Sequence, residues 1–310
     1  MKYDETIVVG VNGSAGSAAA VRYAAREAIR RDAALRVVHV PPTALPVYPA
    51  AYEMCPAELE AAGRRILGEA AALARDYVAS DRVTTALLKG QRAQALVSEA
   101  AGAALLVLGD ESLPYAERLV TGWAGDEVIA RCATPVALVP STWRAVGERR
   151  IVVAGIRDPR RSLALIEIGL QEARRRDARL VLLHAAYRPG LEDDDLARGV
   201  DPELWLEEDR RILDEVSAPL RERYADVPVE LRIEQGRPSQ VLQGAAGRAG
   251  LLLLTRRPSS AASGAFGLTG RALLHGVPCP VEVLPPAREW ALPGPRAGHA
   301  VEPAEEPAAT

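Results

Sequence analysis

Residues 6–40 read TIVVGVNGSAGSAAAVRYAAREAIRRDAALRVVHV, and residues 151–185 read IVVAGIRDPRRSLALIEIGLQEARRRDARLVLLHA. The two stretches align without a gap, and the positions identical in both include Gly10 with Gly155, Ser17 with Ser162, Asp32 with Asp177 and His39 with His184. Two further blocks follow in the same order, residues 83–109 aligned with 229–255 and residues 133–140 aligned with 278–285. Three aligned blocks in one order indicate that a single module was duplicated head to tail.

Each copy alternates short apolar runs with amphipathic segments. In the first copy the apolar runs lie at residues 7–9, 35–40, 83–88, 105–108 and 136–139, and helices are predicted between them. The first two helices have predicted apolar faces made by Val21, Ala24, Ala25, Ala28 and Ile29, and by Leu59, Ala62, Ile66, Ala70, Leu73 and Tyr77. Apolar runs that lack a period of two are typical of parallel sheets covered on both faces. The sequence therefore predicts an α/β fold with two tandem Rossmann-like domains, each a five-stranded parallel sheet flanked by helices.

The repeat also sets the predicted domain boundaries. The first domain covers residues 1–141, a linker covers 142–150, and the second domain covers 151–285. Residues 286–310 are rich in proline, alanine and glutamate and have no periodicity, so we predict that they form a disordered tail.

Composition and charge narrow the class of function. The chain has 310 residues and a net charge of −3, which provides no bulk attraction to nucleic acid or to acidic membranes. The first residues, MKYDETIVVG, do not resemble a secretory signal, so we expect a cytoplasmic protein that has neither nucleic acid nor membrane as a partner. Neither Lys2 nor Lys89 completes a GxxxxGK[S/T] loop, which excludes a P-loop enzyme. The scattered Cys55, Cys132 and Cys279 indicate neither a disulfide framework nor a zinc site, and we interpret them as buried or incidental thiols.

Three segments carry a resemblance to a known family: the opening strand with its GVNGSAGS turn at residues 10–17, the LRVVHV strand at 35–40, and a closing glycine loop before the ATPVALV segment at 133–139. They resemble the universal stress protein family, over both copies and about residues 1–285. The resemblance implies an adenine nucleotide alpha hydrolase-like fold, with strand order 3-2-1-4-5 in two separate sheets. It also implies that the fifth strands, at residues 136–139 and 281–284, lie side by side and form an intramolecular pseudo-dimer.

The resemblance further implies where a nucleotide would bind. Nucleotide-binding members of the family carry an aspartate after the first strand and a later G-x2-G-x9-G-[S/T] loop, whose glycines let backbone amides approach phosphates. In the first copy these positions are Asn12, Gly109, Ser112, Gly122 and Trp123. We therefore expect weak ATP binding in the first domain, and the candidate site residues are Val11, Asn12, Gly13, Val40, Gly109, Ser112, Gly122 and Trp123.

The second copy departs further from this pattern. Arg157 replaces the aspartate, Thr255 and Pro258 replace the first two glycines, and Leu268 follows Gly267 where a hydroxyl residue belongs. A proline also lacks the amide that a phosphate cradle would use. We expect no nucleotide in the second domain.

Two hypotheses for the function remain open. The first is a non-enzymatic stress-response module, and the alternative is an adenine-nucleotide hydrolase or a related α/β enzyme, although the chain has no GxSxG or HExxH signature. His39 and His184 are predicted to be hydrogen-bonded core residues, Ser14 or Ser17 to cap the first helix, and the acidic run at 192–195 to be a solvated surface. Further association as a homodimer and an unidentified regulatory protein partner are both left open.

Overall fold

The computed structural model describes residues 5–41, 56–110, 125–144, 149–187, 202–256, 273–274 and 276–286. Several predictions made from the sequence fall outside these ranges. They concern Cys55, the acidic run at 192–195, the tail from residue 287 onward, and the site residues Ser112, Gly122, Trp123, Pro258, Gly267 and Leu268.

The described residues alternate strands and helices in both halves, as the repeat predicts. The first half contains β1 (Thr6–Gly10), α1 (Ala15–Arg31), β2 (Ala34–His39), α2 (Pro56–Arg75), β3 (Val83–Leu87), α3 (Arg92–Glu99), β4 (Leu105–Asp110), α4 (Gly125–Arg131) and β5 (Val136–Pro140). The second half contains β6 (Ile151–Ile156), α5 (Leu163–Arg175), β7 (Arg179–Ala186), α6 (Pro202–Arg223), β8 (Val229–Gln235), α7 (Pro238–Ala246), β9 (Leu251–Thr255) and β10 (Val281–Leu284). No helix among the described residues is long and apolar enough to cross a bilayer.

The sheet topology confirms the strand order and corrects the expectation of two separate sheets. Within each half all neighbouring strands are parallel, in the orders β3-β2-β1-β4-β5 and β8-β7-β6-β9-β10. However, β5 and β10 pair antiparallel, so the halves share one ten-stranded mixed sheet. The reason is that each fifth strand would otherwise leave an apolar edge with unpaired backbone groups, and the other half covers it. The predicted side-by-side placement of the fifth strands is therefore confirmed.

The identical aspartates of the repeat end the first helix of each half. Asp32 and Asp177 are the described non-glycine residues with positive φ, at 51° and 47°. At Asp32 the chain turns so that the Ala33 amide donates to the Ala28 carbonyl at 2.8 Å. Aspartate tolerates this left-handed conformation better than most residues, which explains its presence in both copies.

The core differs between the two faces of the sheet. On one face a single apolar cluster runs through both halves and joins α3, α4 and α7 to the strands beneath them. On the other face each half has its own cluster, one under α1 and α2 and one under α5 and α6. Both faces of the central strands are therefore covered, which accounts for uninterrupted apolar runs such as residues 105–108 of β4.

The predicted apolar faces of the first two helices need correction at single positions. Ile29 is 55% exposed and Tyr77 is 40% exposed, so neither belongs to the core. In α2 the fully buried positions lie one residue after the predicted ones, at Gly63, Leu67, Ala71, Ala74 and, just past the helix, Val78. Gly63 marks the closest approach to the sheet, because a Cβ there would lie 2.7 Å from Leu87 Cδ1 and 3.0 Å from His39 Cδ2. A prediction of the buried face that counts apolar side chains overlooks Gly63. The glycine belongs to that face because its lack of a side chain lets α2 lie close to the sheet.

Candidate functional site

The turn from β1 into α1 is held by three short polar side chains. Ser14 is the N-cap of α1, and its hydroxyl accepts a hydrogen bond from the Ser17 amide at 3.2 Å. The side-chain oxygen of Asn12, Oδ1, accepts hydrogen bonds from the Ser14 backbone amide at 3.1 Å and from the Ser17 hydroxyl at 2.5 Å. The backbone amide of Asn12 donates to Ser17 Oγ at 2.9 Å. The predicted capping is confirmed, and it fixes the Asn12 side chain in one orientation.

A cavity of about 70 Å³ opens beside this turn, where the carboxyl ends of β1, β2 and β4 meet. Polar groups reach it from Asn12, Ser17 and Arg92, and its apolar walls are Val11, Val38, Val40, Leu96 and Leu108. In open parallel α/β sheets this edge is the usual place for a ligand.

The structure brings together some of the predicted site residues. Val11, Asn12, Val40 and Gly109 line the cavity, whereas Gly13 lies beside it and packs towards Ile66. Gly13 has φ +82°, a backbone conformation that glycine adopts without strain.

Gly109 has a packing role that the motif alone does not indicate. A Cβ built on Gly109 would lie 2.3 Å from both the carbonyl carbon and the carbonyl oxygen of Gly16. A Cβ on Gly16 would in turn lie 2.7 Å from the Asp110 carbonyl oxygen. The end of β4 and the first turn of α1 are thus in backbone contact, and this contact requires glycine on both sides.

Arg92 is a lining residue that the sequence patterns did not select. It is the first residue of α3, just after Gly90, which has φ +103°. The signal that could have identified it is its place at the start of the helix that follows the third strand, because the loop between them must lie at the same carboxyl edge as the end of β1. An arginine there gives the cavity a positively charged side chain.

The two histidines of the repeat are hydrogen-bonded core residues, as predicted. His39 Nδ1 donates to the Val11 carbonyl at 2.6 Å, and His184 Nδ1 donates to the Ile156 carbonyl at 2.9 Å. Burial lowers the pKa of His39, and nearby Arg92 lowers it further, although the hydrogen bond to Val11 opposes the shift. Each histidine therefore ties the end of the second strand of its half to the end of the first.

The second half is built differently at the corresponding turn. Arg157 is exposed, and Asp158 Oδ1 accepts a hydrogen bond from the Arg160 amide at 3.0 Å to cap a short 3-10 turn, Pro159–Arg161. At the end of β9, Thr255 is exposed, whereas Arg256 is buried and donates to the Cys132 carbonyl of the first half at 3.4 Å. Arg256 at the end of β9 thus contacts the first half.

The described residues hold no group of three or more His, Cys, Asp or Glu side chains placed to bind a metal ion. Cys132 and Cys279 are buried free thiols, as predicted, and burial raises the pKa of Cys279 to about 12. Burial raises the pKa of Cys132 as well.

Comparisons with known proteins identify the family. The model of the universal stress protein family matches the chain twice, at residues 5–140 and 148–285. A universal stress protein from Mycolicibacterium smegmatis is 30% identical over 86% of this chain and 90% of its own length. One from Mycobacterium tuberculosis is 29% identical over 89% of this chain and 96% of its own length. The crystal structure of a universal stress protein from Archaeoglobus fulgidus superposes with a TM-score of 0.69, at 15% identity, over 92% of this chain and 98% of that one. The chain belongs to the universal stress protein family and carries two of its domains in tandem.

Proposed function

We propose that this protein is a non-enzymatic stress-response module whose first half binds adenine nucleotide weakly, in the cavity beside the β1–α1 turn. The observation that supports this proposal is that Val11, Asn12, Val40 and Gly109, chosen by family resemblance, border one cavity at the carboxyl edge of the sheet. The base would lie against Val11 and Val40, and the phosphates would point towards Arg92 and the start of α1.

The affinity is expected to be low because of Asn12. Its Oδ1 can accept hydrogen bonds from a base or ribose, but it lacks the charge of the aspartate in the family pattern. A hydrogen bond to a charged group contributes about 1.5 to 3 kcal/mol and a neutral one about 0.5 to 1.5 kcal/mol, so replacing the first by the second costs about 1 to 1.5 kcal/mol, which is about five- to tenfold in affinity. The two hydrogen bonds that Oδ1 already accepts, from Ser14 and Ser17, compete with the ligand.

Isothermal titration calorimetry with ATP and Mg²⁺ tests the site with matched pairs of variants. Asn12→Asp keeps the acceptor oxygen of the turn and adds the missing charge, so we expect it to tighten ATP binding about five- to tenfold. Its control is Arg157→Asp, which makes the same residue at the equivalent position of the second half and should create no binding.

A second pair tests the phosphate end of the site. Arg92→Ala should weaken binding about tenfold, whereas Arg237→Ala, just before the equivalent helix of the second half, should have no effect. Equal effects of both members of either pair would contradict the placement of the site. Sustained ATP turnover by the wild-type protein, lost in Arg92→Ala, would instead favour a nucleotide hydrolase.

A further inference from the structure

The two halves meet across a group of charged side chains, on the face of the sheet that carries α1 and α5. Its glutamates are buried, whereas its arginines range from half-buried to exposed. We call this group the charge cluster, and its members are Glu27, Arg30, Arg31, Glu172, Arg175, Arg176 and Glu282. The three glutamates are at most 2% exposed. Charges this deeply buried are costly unless they are paired, so their arrangement constrains which surfaces can meet here.

The cluster has the symmetry of the repeat. Glu27 aligns with Glu172 and Arg31 with Arg176, and each arginine reaches the glutamate of the other half. Arg176 Nη2 lies 2.7 Å from Glu27 Oε1, and Arg31 Nη2 lies 3.1 Å from Glu172 Oε1. These two cross-contacts are related by the same pseudo-two-fold axis as β5 and β10.

Glu282 is the member that breaks this symmetry. It aligns with Ala137 in the repeat, and in the antiparallel pair of β5 with β10 these two residues lie directly opposite each other. Two equivalent positions that face each other must straddle the axis, so the interface holds one carboxylate at its centre and a methyl group across from it. Glu282 Oε2 is 3.6 Å from Arg31 Nη2.

Pairing of two identical halves would change both the number of carboxylates at the axis and the ratio of arginines to glutamates around it. If β10 paired with β10 of a second chain in the same register, Glu282 would face Glu282. The arginines and glutamates of the cluster would then be equal in number, but two buried carboxylates would lie directly opposite each other, which is destabilising. If two first halves paired, Ala137 would face Ala137. Arg30 and Arg31 of each copy would then have only Glu27 of each copy to balance them. Only the unlike pair places a single carboxylate among the arginines.

We propose that this interface selects the unlike half of the chain and rejects a second copy of either half, and that Glu282 on the pseudo-two-fold axis is the residue that determines this specificity. Any two domains of this fold could pair antiparallel through their fifth strands. Glu282 restricts that pairing to the first half with the second half. The occupant of each fifth-strand edge is thus the other half, not another protein or a second copy of itself.

The test exchanges the two axial residues in the full-length chain. Ala137→Glu places two carboxylates at the axis and should lower the melting temperature by roughly 6 to 20 °C. Adding Glu282→Ala to it restores a single carboxylate in the mirror position, facing the symmetric Arg176. This double variant should therefore melt within about 3 °C of the wild type.

Ala137→Gln separates charge from bulk, because it adds the same volume without a charge. Ala137→Gln should lower the melting temperature less than Ala137→Glu does. Adding Glu282→Ala to Ala137→Gln should also recover less of the lost melting temperature than adding it to Ala137→Glu. If Ala137→Glu yields no soluble protein, recovery of folded protein in the double variant counts as the expected rescue. Additive losses in the double variant, or equal losses for Ala137→Gln and Ala137→Glu, would overturn the proposal.

Discussion

At the end of β4, Gly109 lies so close to the first turn of α1 that no side chain fits between them. A Cβ at this position would be 2.3 Å from the Gly16 carbonyl carbon and oxygen and 2.9 Å from the Ser17 amide nitrogen. All three are backbone atoms, and they cannot rotate away as the end of a side chain could. Overpacking typically costs 1 to 3 kcal/mol, so we expect Gly109→Ala to lower the free energy of unfolding by about 3 kcal/mol.

Gly68 provides the matched control, because a Cβ built there has no atom within 4 Å. It lies inside α2, where alanine is favoured over glycine by about 0.5 to 1 kcal/mol, so Gly68→Ala should stabilise the protein by that amount. Urea unfolding followed by circular dichroism measures both variants. If Gly109→Ala unfolds at the wild-type urea concentration, the close contact of β4 with α1 is wrong, and Gly109 has no packing role.

Three other predictions concern buried polar groups. Burial opposes ionisation of Glu27, but Arg176 and the neighbouring arginines lower its pKa below the usual value, so Glu27 contributes stability above about pH 4.5 that is lost as the pH falls through the lowered pKa. Urea midpoints between pH 7 and pH 3 should therefore fall less steeply for Glu27→Gln than for the wild type, and equal slopes would contradict the assignment. Tyr23→Phe removes the hydroxyl that accepts a hydrogen bond from Arg176 at 3.2 Å, so it should lower the free energy of unfolding in urea by about 1 kcal/mol. An unchanged urea midpoint would argue against this hydrogen bond. His39→Leu leaves the buried Val11 carbonyl without its donor and should cost about 1 to 3 kcal/mol, while a stabilised variant would show that the bond contributes nothing.

The parts of the fold that were predictable are those that depend on the repeat and on local chemistry. The duplicated blocks and uninterrupted apolar runs predicted the parallel sheets, the family resemblance implied their strand order, and Ser14 predicted the start of α1. The single continuous sheet was not predicted. Whether two paired edge strands join separate sheets into one depends on the relative orientation of the halves, and no local pattern encodes that orientation.

The candidate site was predictable where it follows strand ends, and not where it depends on packing. Val11 and Asn12 follow β1 directly, but the motif could not show that Gly109 contacts α1 or that Arg92 reaches the same cavity. The charge cluster was missed because Glu27 and Arg31 resemble ordinary helix surface charges. Their repetition at equivalent positions of the second half was the available signal, since exposed charges need not recur after duplication.

Hydrogen–deuterium exchange of the wild-type protein, with and without a large excess of ATP and Mg²⁺, tests the proposed nucleotide site most directly. The account predicts slower exchange for amides at residues 10–17, 92–96 and 105–110, around the first-half cavity, and no change at the equivalent residues 155–162, 238–242 and 251–256. Protection confined to the second half, or no protection in either half at an ATP concentration that saturates Asn12→Asp, would contradict it.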